Sequence, residues 1–199
     1  MAKANNSKAA ERAHPKVAGY RVLGGKLEVY GQYMLERYAW ANQFVKGKVV
    51  LDAPTGVGWG ASTLSVASKI FGLDICEEAI LYGRIHYKNV IFVVGNMTNM
   101  PFGDSKFDVV SCLDGYEHVT KTQQYYFLLE VSRCLKPNGT FVVTVPTGAE
   151  ALINNPYHLH VPTKEEFYCS VSEFFLVEYV EEKQVGHGGI SIRAALKLR

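Results

Sequence analysis

One segment limits the fold more than any other: Val49-Val50-Leu51-Asp52-Ala53-Pro54-Thr55-Gly56-Val57-Gly58-Trp59-Gly60. A short apolar run closed by an acid reads as a buried strand. Three glycines at every second position then let the backbone turn sharply and let a ligand approach it closely. A helix is expected next, over Ala61–Ser68, with free N–H groups at its start that could face an anion. A second apolar run, Ile70-Phe71-Gly72-Leu73, ends at Asp74, 18 residues beyond Gly56. A carboxylate at that place can accept hydrogen bonds from both hydroxyls of a ribose. The cluster therefore points to a nucleoside-bearing cofactor. Gly56-x-Gly58-x-x-Ala61 followed by an acid also fits the dinucleotide fingerprint, so a nucleotide-dependent oxidoreductase stays open. Asp52 pulls the other way: an acid at the strand tip would repel a pyrophosphate but suits a ligand with a positive amino group.

The rest of the chain supplies the frame for such a site. Leu27, Tyr30, Met34, Tyr38, Ala41 and Val45 recur at helical spacing, and Gly47 stops that helix. Glu77–Tyr87 reads as a helix with acids in its first turn. Val90–Val94 and Phe107–Leu113 read as strands. Thr120 and Gln123 have capping-box spacing for a helix that ends at Lys136-Pro137-Asn138-Gly139, and Thr163 and Glu166 repeat the pattern. Thr140–Val145, Phe174–Glu181 and Ile190–Leu198 are the remaining strands, the last two joined through the hinge Gly186–Gly189. Strand–helix alternation predicts an α/β fold: a Rossmann-like, doubly wound, seven-stranded and mostly parallel sheet with a C-terminal antiparallel hairpin at one edge. Residues 1–16 lack large apolar side chains and are expected to form a mobile tail, leaving 17–199 as one domain.

Composition excludes several classes of function. Lys plus Arg is 21 against 19 for Asp plus Glu, a net charge of +2, which argues against a dedicated nucleic-acid partner. No stretch approaches the ~20 apolar residues of a membrane span, and the N-terminal segment has no apolar h-region. Cys76, Cys112, Cys134 and Cys169 are scattered singly, without a Cys-x-x-Cys pair. A reducing, cytoplasmic setting is expected, and no metal site is indicated by the linear spacing.

Five segments, taken in order, resemble the class I S-adenosylmethionine-dependent methyltransferases, in their small-molecule type 11 branch. VVLDAPTGVGWG resembles the glycine-rich first motif. IFGLDICEEAI resembles the strand whose terminal acid holds the ribose. FVVGNMTNMPFGDSKFDVV is similar to the adenine-binding turn and the start of the fourth strand. SCLDGYEHV resembles the segment after that strand, and LLEVSRCLKPNGTFVVTVP resembles the helix, turn and fifth strand. The resemblance covers about residues 30–198 and implies S-adenosylmethionine as cofactor. It places Asp52, Gly56, Gly58, Asp74, Ile75, Asn96, Met97 and Leu113 around it, within a cofactor half of about 47–120. Two departures stand out. Pro54 replaces the first glycine and lacks an N–H, and Asn96 stands where Asp is usual, keeping an acceptor oxygen without the charge.

The acceptor is left to segments 17–46 and 146–172. His118 follows the fourth strand and is a candidate base. His158 and His160 have period-two spacing, so an extended segment would point both to one side, at the rim of an acceptor pocket. Arg37–Ala41 and Asn155–His160 resemble members that modify sugars or glycan precursors. A small-molecule acceptor is thus expected. The competing readings are an oxidoreductase and a non-catalytic binding module of methyltransferase type.

Overall fold

A computed structural model of the protein describes residues 27–148, 157–185 and 189–199. The expected tail and the hinge residues Gly186–Gly188 lie outside them. The apolar runs bounded by polar or glycine-rich turns form the strands. These are β1 (Val49–Asp52), β2 (Lys69–Asp74), β3 (Val90–Val94), β4 (Phe107–Leu113), β5 (Leu135–Thr147), β6 (Phe175–Val185) and β7 (Gly189–Leu198). They make one seven-stranded sheet in the order β3-β2-β1-β4-β5-β7-β6. The first five strands run parallel, while β7 pairs antiparallel with both β5 and β6. The C-terminal pair thus closes one edge as the alternation predicts.

Side-chain alternation along the strands divides the core between two faces. Val50 packs on one side with Tyr38, Trp40, Ala41 and Val45 from the α1 region (α1, Leu27–Ala41) and with Ile80 of α2 (Glu77–His86). Leu51 packs on the other with Phe127, Leu128 and Val131 of α3 (Lys121–Cys134) and with Phe167 and Val171 of α4 (Lys164–Ser172). Helices therefore cover both faces. Both capping boxes form: the Thr120 and Thr163 side chains accept from the N–H groups of Gln123 and Glu166, which reach back to the cap N–H.

One expected element is replaced. Ala61–Ser68 is not an α-helix; a single 3₁₀ turn spans Ala61–Thr63. The cause is local. Ser62 Oγ donates to the Trp59 carbonyl, Thr63 Oγ1 to that of Gly60 and Ser68 Oγ to that of Lys48. Short hydroxyl side chains offer the backbone alternatives to the helical ladder. The glycine turn is therefore not followed by the helix N-terminus that was to face an anion.

The order of strands reverses at β1, which pairs with β2 on one side and β4 on the other. Connections leave the carboxyl ends of β1 and β4 in opposite directions, and open sheets of this kind take their ligands in the crevice at such a point.

Candidate functional site

Asp52 ends β1 and is fully buried. Its Oδ2 accepts from Tyr38 Oη of α1 at 2.9 Å and its Oδ1 from Ser111 Oγ of β4 at 2.7 Å. Burial pushes its carboxyl up to about 6, against the hydrogen bonds from Ser111 and Tyr38, which favour the anion. The aspartate thus ties α1, β1 and β4 together beneath the crevice.

The three glycines of the turn do different work. Gly58 has φ +80°, and a Cβ on it would land in the Phe92 ring. A Cβ on Gly60 would land in the Tyr38 ring. Both are glycine because an aromatic ring occupies the space. Gly56 has φ +59° and nothing within 4 Å of where its Cβ would be. Of the three, it is the one that leaves room for a ligand.

Asp74, 6% exposed at the end of β2, brackets this turn. Its Oδ2 accepts from the Gly56 N–H at 2.8 Å and its Oδ1 from the Cys76 N–H at 2.9 Å. An ionised carboxylate only accepts hydrogen bonds, which is what the two hydroxyls of a ribose require of a partner. Ile75 follows with 60% of its surface exposed, an apolar side chain beside a mostly buried carboxylate. Open space over Gly56, an acid at its foot and an exposed apolar neighbour fit a nucleoside.

The other expected cofactor residues sit differently. Met97 and Leu113 are buried in the two core clusters, so their backbones rather than their side chains are left for a ligand. Asn96 is exposed, and its amide oxygen accepts from both the Thr98 N–H and Thr98 Oγ1 at 2.9 Å. An adenine amino group at that oxygen has to displace Thr98.

The residues expected near an acceptor follow β4. Asp114, with φ +54°, accepts from Thr144 Oγ1 and pairs with Arg37 of α1 at 2.6 Å. A 3₁₀ turn over Tyr116–His118 then presents Glu117 and His118. The segment after β5 returns against it: the Leu159 and His160 N–H groups donate to the Glu117 carbonyl at 2.8 and 3.3 Å. The His118 and His158 rings meet edge to face at 5.1 Å. His160 is held apart, its Nδ1 3.0 Å from Gln124 Oε1 and its Nε2 4.0 Å from Glu166 Oε2. The structure therefore brings His118 and His158 together and gives His160 other neighbours. Sequence reasoning missed Tyr38, Ser111, Asp114, Glu117 and Gln124 as site-forming residues. Tyr38 carried a signal in its place on the buried stripe of α1, and Ser111, Asp114 and Glu117 lie in the SCLDGYEHV segment without being singled out by it; Gln124 carried none.

Comparison with known proteins agrees with this geometry. A family profile described as "Methyltransferase domain", of type 11, matches residues 51–143. A protein of Mycolicibacterium smegmatis named "probable S-adenosylmethionine-dependent methyltransferase" is 32% identical over 155 residues, 74% of this chain and 56% of its own. A fatty-acid O-methyltransferase of the same organism is 31% identical over 131 residues, 60% of this chain and 47% of its own. The chain thus spans about half the length of the curated relatives it matches. A crystal structure of a Pyrococcus horikoshii protein superposes with a TM-score of 0.74 at 23% identity, over 86% of this chain and 92% of that one, which shows the shared fold. S-adenosylmethionine is the cofactor that family and fold imply. The chain belongs to the class I S-adenosylmethionine-dependent methyltransferases, in the type 11 branch.

Proposed function

We propose that the protein transfers a methyl group from S-adenosylmethionine to a small-molecule acceptor. The observation that carries this reading is Asp74, a mostly buried carboxylate bonded to the N–H of the one turn glycine that leaves open space. The cofactor, when bound, supplies a methyl group on a sulfonium. Asp74 receives the ribose hydroxyls, and Ile75 covers an apolar face. Gly56 and Gly58 keep the turn low, Met97 offers its backbone N–H, and Asn96 and Leu113 border the adenine end. Asp52 acts through Tyr38 and Ser111, which fix the floor of the site. Displacement at a methyl carbon needs no covalent enzyme intermediate, so holding the acceptor in line supplies much of the acceleration. His118 is the candidate to take the proton of an acceptor hydroxyl, with His158 and His160 at the rim.

A small acceptor is supported by the near-zero net charge and by relatives named for fatty-acid and demethylmenaquinone methylation. Within that class we favour a sugar or glycan precursor, on the resemblance of Arg37–Ala41 and Asn155–His160. No helix among the described residues is long and apolar enough to cross a membrane. The test is calorimetric titration with S-adenosylhomocysteine and, separately, NAD, then transfer of labelled methyl to sugars, fatty acids and phenols. Binding of the first ligand with transfer supports the proposal. NAD binding without it would indicate an oxidoreductase, and binding without transfer to any acceptor a non-catalytic module.

A further inference from the structure

Glu117, His118 and His158 each offer a ligand atom, and the three atoms lie within 4.8 Å of one another. Forty residues separate the two histidines in the sequence, and the pairing of the 157–160 segment with the Glu117 carbonyl joins them. Three further features suit an ion at this cluster. His118 Nδ1 lies 3.2 Å from the Tyr157 carbonyl oxygen. A carbonyl can only accept, so Nδ1 holds the proton and the neutral ring keeps its lone pair on Nε2. Metal-bound histidines show this arrangement, with the second ring nitrogen donating to a carbonyl or carboxylate. His158 Nε2 stands 3.9 Å from Glu117 Oε1. That is close to the spacing of two ligand atoms on one ion, about 3–4 Å for bonds of about 2.0–2.2 Å. Glu117 is 1% exposed, so its carboxylate sits where a counter-charge gains most.

We propose that Glu117, His118 and His158 bind a divalent transition-metal ion of the zinc, cobalt or manganese class. Two imidazoles and one carboxylate suit such ions better than magnesium or calcium, which prefer all-oxygen sites. Three protein ligands leave a coordination position open, and an acceptor oxygen is the group to fill it. An ion there would hold that oxygen and promote loss of its proton, replacing His118 as the activating group. This last role rests on the methyltransferase reading; the binding of the ion does not.

The test uses the full chain, stripped with chelator and titrated with Co²⁺, followed by its visible absorption and by displacement with Zn²⁺. One Co²⁺ per chain is expected. Glu117→Gln, His118→Asn and His158→Asn should each weaken it by at least about tenfold, the scale known for changes around metal ligands. His160→Asn and His86→Asn should leave it unchanged. Circular dichroism and S-adenosylhomocysteine affinity establish that each variant is folded. Equal Co²⁺ affinity in a His118→Asn/His158→Asn double variant, or no stoichiometric binding to the parent chain, would overturn the ion site while leaving the cofactor reading standing. Co²⁺ binding without S-adenosylhomocysteine binding would support the ion site and overturn the cofactor reading instead.

Discussion

Replacing Asp52 with Asn tests how the floor of the crevice is held. In the folded protein the Asp52 carboxyl is raised from 3.8 to about 6, chiefly by burial. In the unfolded chain it titrates near its ordinary value. Below about pH 4 both states hold the proton. Between about pH 4 and 6 the unfolded chain releases it while the folded protein keeps it, so stability falls as pH rises through this window. A displacement of about 2 pH units corresponds to about 3 kcal/mol. Asn has nearly the same shape and does not titrate. Its amide can face Tyr38 Oη on one side and Ser111 Oγ on the other, since either hydroxyl can rotate to donate or accept. Urea unfolding of both proteins at several pH values, followed by the fluorescence of Trp40 and Trp59, gives the difference free of other groups. The stability of the parent chain relative to Asp52→Asn should drop by about 3 kcal/mol from about pH 4 to about pH 7. A constant difference over that range would refute the reasoning. Tyr38→Phe should extend the upper edge of the window to higher pH, because it removes a bond that favours the anion in the folded protein.

Other consequences can be measured in the same way. Asp74→Ala should weaken S-adenosylhomocysteine binding by about 1–3 kcal/mol in calorimetry, the scale of losing a buried hydrogen-bond partner. Gly60→Ala drives a methyl group into the Tyr38 ring and should cost about 1–3 kcal/mol of stability by denaturant unfolding. Thr163→Ala removes one half of a capping box and should cost about 1 kcal/mol in thermal unfolding, with cofactor affinity unchanged.

The parts of this molecule legible in sequence are those governed by local pattern. Val90–Val94 and Phe107–Leu113 announce strands because apolar, β-branched runs are bounded by polar turns, and Thr120 with Gln123 announces a helix start by spacing alone. Ala61–Ser68 misleads because composition does not reveal that three hydroxyls there bond to nearby carbonyls. Within the glycine turn, sequence could not separate Gly56, which faces open space, from Gly58 and Gly60, which make room for rings contributed by Phe92 and Tyr38. The Asp52–Tyr38 bond and the approach of His158 to Glu117 are products of tertiary packing. The second arises because β4 and β5 lie side by side and parallel, so the chain leaves both strands at the same end of the sheet. Period-two spacing suggested that His158 and His160 act together; the turn of the chain at Leu159, held by the Glu117 carbonyl, instead gives them separate partners.

The most direct test of the account is a crystal structure of the protein with S-adenosylhomocysteine. It should show both ribose hydroxyls within about 3 Å of the Asp74 carboxylate, with the ligand over Gly56 and its sulfur turned toward Glu117, His118 and His158. A ligand bound away from Asp74, or one whose sulfur faces away from the turn after β4, would contradict it.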